Sequence, residues 1–272
     1  MPELEPAPEP EPEPEPDLAL LEAAAEAASV IALRHFGKSP EVHEKPGGLG
    51  PVSIADLEVD RMLRAELTAA RPDYGWLSEE SEDGSARLAA ERVFVIDPID
   101  GTRAYVAGQS AWAHSLAVVE RGEVLAGVVL LPALDRRYVA AAGRGALRDG
   151  LPITASHRPE IDDATVLANA GHLDPSHWQG GAPRLERHMR PSLAYRLCLA
   201  AEGRFDAMLS FRDCWEWDVA AGDLIAREAG ALATTRDGDP LRYNNPHPQV
   251  AGLVVAGPAL HRSLLERLKP RG

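Results

Sequence analysis

Cysteine is scarce in this 272-residue chain: Cys198 and Cys214 are the only two, and neither belongs to a CxxC pair. With no basic segment followed by an apolar one near the N-terminus either, nothing in the sequence points to export. Long hydrophobic runs are missing as well. A stretch such as Val124 to Leu131 is too short to span a bilayer and is bounded by charged turns. No HExxH arrangement occurs among the nine histidines, and His172 and His177, five apart in a Gly/Pro-bounded loop, read as surface residues. A basic stripe for DNA or RNA is absent, and there are no internal repeats. The expectation is a soluble cytoplasmic protein with neither membrane nor nucleic-acid partners.

Residues 1 to 17 contain no base at all. They carry −7 of the chain's formal −14, as Glu3, Glu5, Glu9, Glu11, Glu13, Glu15 and Asp17. Proline at every second position forbids a helix and the like charges repel, so this acidic Glu-Pro tail is expected to be disordered and dispensable. The rest is long enough to bury a substantial core. We divide it into an N-terminal portion, 18–150, and a C-terminal portion, 151–272.

The Ala- and Leu-rich run from Leu18 to His35 predicts a helix stopped by Gly37. Ser53, three residues before Asp56, reads as a capping-box-like start for a second helix through Val59, Leu63 and Leu67, ending near Arg71-Pro72. Leu116 to Val119, Val124 to Leu131 and Arg137 to Ala141 read as a strand meander, and residues 165–169 and 205–210 as further strands. Leu193 to Glu202 and Asp218 to Ala229 read as helices stopped by Gly203 and Gly230. Cys198 on an apolar helix face and Cys214 beside Trp215 default to packing.

The chemistry concentrates at Asp97-Pro98-Ile99-Asp100-Gly101-Thr102. The apolar run Val93 to Ile96 delivers two carboxylates and a Gly-Thr turn to a strand end. Carboxylates three apart can bridge hard cations, Pro98 stiffens the turn, and Gly101 lets backbone N–H groups approach a phosphate. Oxygen ligands point to Mg²⁺ rather than zinc. Two further acidic segments can converge on it: Ser78-Glu79-Glu80-Ser81 and Trp215-Glu216-Trp217-Asp218. The candidate ligands are Glu79, Asp97, Asp100 and Asp218. The Asp97-x-x-Asp100 spacing differs from the one-residue separation of a phosphoaspartyl nucleophile loop.

Together with Ser53-Ile54-Ala55-Asp56, these motifs resemble the inositol monophosphatase superfamily of Mg²⁺-dependent, lithium-sensitive phosphomonoesterases, over residues 18 to 265. The resemblance implies a mixed α+β fold in an αβαβα layering, with the site between the two portions. It implies two or three Mg²⁺ ions. Asp97 would bridge two, with Glu79 and the Ile99 carbonyl completing one and Asp100 and Asp218 the other. Glu79 and the Thr102 hydroxyl would activate the attacking water, Glu80 would support the ligands from behind or help a weaker third Mg²⁺ site near Glu79, and Gly101 and Thr102 amides would hold the phosphate. Asp56 would lie near the cluster. Lys45 could offset charge there, and a homodimer, common among relatives, is allowed.

Substrate choice rests on less uniform positions. Seven residues before Asp218, where inositol monophosphatases carry an acid that contacts inositol hydroxyls, stands Phe211, which cannot accept hydrogen bonds. Arg103-Ala104-Tyr105, a base followed two residues later by an aromatic, and Arg196, at a place where a lysine reaches the nucleotide's second phosphate, are closer to bacterial 3′(2′),5′-bisphosphate nucleotidases. A surface arginine paired with Glu202 is the plainer alternative for Arg196. The expected reaction is therefore removal of the 3′-phosphate of adenosine 3′,5′-bisphosphate, a by-product of sulfate assimilation. Inositol-1-phosphate is the runner-up and histidinol phosphate follows. The non-enzyme alternative, a catalytically silent phosphate-binding regulator, is disfavoured because every ligand carboxylate and Thr102 are present.

Overall fold

A computed structural model describes residues 16–38, 42–44 and 51–270. Most of the acidic tail and Lys45 lie outside them. Helix α1 (Pro16–His35) and, after the short strands β1 (Val42–Glu44) and β2 (Pro51–Ser53), helix α2 (Ile54–Ala70) pair along one face of a seven-stranded sheet. Its strands run in spatial order from β3 to β9: β3 (Gly75–Ser78), β4 (Arg92–Asp100), β5 (Ala113–Glu120), β6 (Glu123–Leu131), β7 (Arg136–Ala141), β8 (Ala146–Arg148) and β9 (Leu151–Pro152). Only β3 and β4 are parallel, so the sheet is the expected meander. A short helix, α3 (Thr102–Val106), follows β4.

The second sheet has the order β11-β10-β12-β16-β14, from β10 (Ala164–Leu167), β11 (Leu185–His188), β12 (Ala207–Ser210), β14 (Leu232–Thr234) and β16 (Leu253–Ala256). A two-stranded ribbon of β13 (Cys214–Trp215) and β15 (Gln249–Val250) stands apart. Helices α4 (Leu193–Ala201) and α5 (Glu216–Glu228) fill the space between the two large sheets, and α6 (Pro258–Arg267) covers the outer face of the second. The result is the αβαβα layering that the motifs implied.

Period-two alternation builds these layers. In β4, Val93 and Val95 point into the core around α4 and α5, while Phe94 and Ile96 point into the core under α1 and α2. Val166, Leu209 and Val254 meet Leu260 and Leu264 of α6 in a third core. All of these side chains are buried.

The tail boundary needs correction. Pro16 and Asp17 belong to α1, and Asp17 is 1% exposed, accepting hydrogen bonds from Arg71, Tyr74 and Arg92. Its acidic neighbours in the chain disguise it, but three donors, from Arg71, Tyr74 and Arg92, hold it. His172 is likewise buried, not a surface residue: its ring packs on Phe211 and its Nε2 accepts the Phe211 N–H.

Candidate active site

Strand β4 ends in an irregularity that decides where its carboxylates point. Asp97 pairs with Ser115 but Asp100 pairs with Ala113, so one extra residue is inserted. In an unbroken strand Asp97 and Asp100 would face opposite sides. The bulge re-aims Asp100 to the side that Asp97 already faces, toward α4 and α5. Pro98 lies within it, and its carbonyl contacts Nδ1 of the fully buried His114 at 2.5 Å. Burial lowers the His114 pKa to about 4, so the ring is neutral near pH 7.

Three carboxylates converge beyond the bulge. Glu79, Asp97 and Asp218 each present an oxygen, and these atoms lie within 4.8 Å of one another. Glu79 is placed by its N–H, which donates to the Ile96 carbonyl across the β3–β4 pair. Its loop is pinned from α2, where Asp60 accepts from Ser78 Oγ at 2.5 Å and Ser81 Oγ at 2.7 Å. Asp218 sits in the first turn of α5. Asp97 Oδ1 accepts the Ile99 N–H, while its Oδ2 is buried with no hydrogen-bond partner among the described residues. Burial, reinforced by neighbouring carboxylates, pushes the Asp97 and Asp218 pKa values well up. An orphaned carboxylate oxygen on a residue clustered with two further carboxylates fits a cation, and an all-oxygen set fits a hard one such as Mg²⁺.

Asp100 adjoins this trio but is not within it. Its Oδ2 accepts from Ser192 Oγ and the Ala194 N–H, each at 2.6 Å, at the N-terminus of α4. Gly101, with φ of +97°, makes the turn into α3, a conformation that favours glycine. The Thr102 hydroxyl lies 3.1 Å from both Asp56 Oδ1 and the Ile99 carbonyl. Asp56 is fully buried, closes the expected capping box with Ser53, and has its pKa raised to about 6, chiefly by desolvation.

These groups open into a cavity of about 500 Å³ that Glu79, Asp97, Asp100, Gly101, Thr102, Arg103 and Asp218 line together with Trp215 and Trp217. The two indoles stack 4.7 Å apart with 7° between their planes. Arg103 is exposed at this wall. Arg196 is not among the lining residues. It is 8% exposed, its Nε donates to the Ser192 carbonyl, and Asp100 and Asp218 help retain its charge against burial. Glu202 pairs with Arg148 instead. Phe211 packs against His172, His177 and Trp178.

Sequence reasoning overlooked Ser192 and Asp60. Ser192 had a readable signal, because a serine before an apolar helical run is an N-cap. Asp60 had none beyond its place on α2.

This fold and this gathering of carboxylates at a Gly-Thr turn define a metal-assisted phosphatase scaffold. The sequence profile of the inositol monophosphatase family matches residues 13–270, and the chain belongs to that family, whose members are phosphoric monoester hydrolases and generally Mg²⁺-dependent. The inositol-1-monophosphatase of Rhizobium meliloti is 33% identical, over 88% of this chain and 90% of that one. A histidinol-phosphatase of Mycobacterium tuberculosis is 34% identical, over 92% of this chain and 97% of its own. Among solved structures, the inositol monophosphatase of Thermotoga maritima superposes with a TM-score of 0.76 at 27% identity, covering 92% of this chain and 94% of that one.

Proposed function

We propose that the protein hydrolyses a small phosphate monoester with Mg²⁺, and that its leading substrate is a polyol monophosphate such as inositol-1-phosphate. The observation that carries the reaction is the clustering of Glu79, Asp97 and Asp218, with Asp97 Oδ2 buried and orphaned, on the cavity that Gly101 and Thr102 also line. Glu79, Asp97, the Ile99 carbonyl, Asp100 and Asp218 would hold the metal. When bound, Mg²⁺ would stabilise charge on the phosphoryl oxygens and lower the pKa of a bound water.

The chain's own groups supply the rest. Asp56, once ionised, accepts a hydrogen bond from the Thr102 hydroxyl, which would leave the Thr102 oxygen's lone pairs to orient a water in the cavity. The turn from Gly101 into α3 presents backbone N–H groups to a phosphate. Near full-length similarity to inositol-1-monophosphatases supports the polyol ester. Asp213, exposed two residues beyond Phe211 on the way to β13, is a candidate acceptor for substrate hydroxyls that Phe211 cannot serve.

A second reading, the 3′(2′),5′-bisphosphate nucleotidase, is favoured by Arg103 and the indole pair on the same cavity: a guanidinium for a second phosphate and a flat surface for a base. Arg196, buried beside Asp100, gives that reading less support than its sequence position suggested. Phosphate release from inositol-1-phosphate, histidinol phosphate and adenosine 3′,5′-bisphosphate, compared by kcat/KM with Mg²⁺, separates the readings. The largest value for inositol-1-phosphate is expected. The largest value for the nucleotide, reduced in Arg103→Ala, would replace it, and no release from any of the three would overturn the substrate assignment altogether.

A further inference from the structure

Arg87 is a cation with an unusual position. It lies in a short 3₁₀ turn, Ser85–Ala89, only 3% exposed, on the loop that continues from Glu79. Its Nε and Nη2 grip the two oxygens of Asp83 at 2.6 and 2.9 Å. Its Nη1 donates to Asn244 Oδ1 at 2.6 Å and Nη2 to the Asn245 carbonyl at 2.9 Å, while Asn244 Nδ2 returns a hydrogen bond to the Arg87 carbonyl. The turn also lies hard against β3, since a Cβ on Gly75 would stand 3.0 Å from that of Arg87.

From Asn244 and Asn245 the chain of contacts runs on to Glu216, whose side chain is fully buried at the start of α5. Glu216 Oε2 accepts the Asn244 N–H at 2.7 Å, and Oε1 accepts the Asn245 N–H at 2.9 Å and Nδ2 at 2.7 Å. Asn244 adopts φ of +59°, so the backbone is turned to aim consecutive N–H groups at one carboxylate. Glu216 precedes Asp218 by two residues. One continuous brace therefore joins the loop carrying Glu79 to the helix turn carrying Asp218.

Those two carboxylates come from distant parts of the chain and, when ionised, repel each other and Asp97 unless a cation lies between them. Something must hold them at ligand spacing. Asp60 fixes the Glu79 loop from the α2 side but does not reach α5. The brace does, and an arginine with both edges of its guanidinium engaged is stiff in a way that a lysine is not.

We propose that the Arg87–Asn244/Asn245–Glu216 brace is a positioning device that holds Glu79 and Asp218 at cation-binding spacing before the metal arrives. This rests on the reading of the trio as a metal site. Glu216→Gln conserves size but places an amide donor opposite at least one N–H, so it breaks the brace at its centre. Arg87→Lys keeps the charge and loses the fork. Asn245→Ala is the gentlest cut, because both backbone N–H contacts to Glu216 remain.

The test is a Tb³⁺ titration read by luminescence sensitised through Trp215 and Trp217, alongside the Mg²⁺ activation curve for phosphate release and thermal melts with and without metal. The expected result is a rise in the Tb³⁺ dissociation constant and in the half-activating Mg²⁺ concentration of about tenfold for Glu216→Gln and Arg87→Lys, and less for Asn245→Ala. The Mg²⁺-induced rise in Tm should shrink in the same order. A folded Asn245→Ala keeps the test open where the other two variants do not fold. Tb³⁺ affinity and Mg²⁺ activation unchanged in every folded variant, with only the metal-free Tm lowered, would overturn the proposal and leave the brace purely structural. A wild-type protein that takes up no Tb³⁺ would overturn the metal-site reading itself.

Discussion

Ser192 Oγ donates to Asp100 Oδ2 across 2.6 Å, tying the bulged end of β4 to the N-cap of α4. The same Ser192 oxygen accepts the Tyr195 N–H, so one hydroxyl both caps a helix and orients a candidate ligand. Asp100→Asn retains an oxygen for the Ser192 and Ala194 donors but removes a charge beside the trio. Turnover should fall by at least about 100-fold with a near-native melt. Ser192→Ala should cost about 1 kcal/mol through the lost cap and lower activity less. Wild-type phosphate release from Asp100→Asn would refute its place in the site.

Deleting residues 1 to 15 should leave activity and Tm unchanged, since a Glu-Pro segment offers little to bury. Asp17 must stay. It accepts from Arg71 Nε and Arg92 Nη1, both at 3.0 Å, and from the Tyr74 hydroxyl at 2.9 Å. Asp17→Ala strands these donors and should cost about 2–3 kcal/mol by urea denaturation. Equal stability of the deletion and Asp17→Ala proteins would contradict the contrast.

The contrast between Asp17 and its neighbours shows what a sequence carries and what it withholds. The elements were legible because the unbroken apolar run Val93 to Ile96 marks a buried strand and the spacing of Val59, Leu63 and Leu67 marks the buried face of α2, whereas the layering followed from the family resemblance. Glu79, Asp97 and Asp218 were legible because their motifs are local. Asp100 was found, yet its tether to Ser192 depends on a one-residue bulge that no local pattern announces. Arg87 and Glu216 were passed over because a brace assembled from three separate segments has no spacing to read. His172 was misplaced for the same reason: its partner Phe211 is 39 residues away.

His172 gives the pH dependence. Burial, aided by the positive charges of His177, Arg196, Arg212 and Arg236, lowers its pKa from 6.5 to about 4. Below pH 6.5 the unfolded chain takes up a proton that the folded ring refuses, so stability present above that pH is lost as pH falls toward 4. The loss from this ring alone should reach about 2–3 kcal/mol by pH 4.5. His114 and His261 shift the same way and add to it. In His172→Gln the decline in urea midpoint from pH 7 to 4.5 should be shallower, and parallel declines would refute the assignment.

Gly222 marks the closest approach of α4 and α5. A Cβ there would stand 2.7 Å from both Cβ and Cδ1 of Leu197, in the core between the two sheets. Gly222→Ala gains helix propensity but overpacks that contact, and overpacking should win by about 1–3 kcal/mol. Leu197→Ala removes the Cδ1 contact but keeps the Cβ, so the double variant should lose less Tm than the two single losses summed, whereas strictly additive losses would place the strain elsewhere.

Thr102 offers the sharpest test of the proposed water-orienting role. Its hydroxyl faces Asp56 Oδ1 and the Ile99 carbonyl, and Asp56 is otherwise held by Ser53 alone among the described hydrogen bonds. Thr102→Val keeps the shape and removes the hydroxyl that, on the proposed reading, would link Asp56 to a water. Thr102→Ser keeps the group and loses a methyl. If the hydroxyl relays to Asp56, kcat should drop by about 100-fold in the valine variant with KM little changed, and the serine variant should regain most of it. A melt that moves equally in both variants, with kcat tracking the melt, would instead make Thr102 a packing residue and leave Glu79 as the remaining candidate base in the cavity wall.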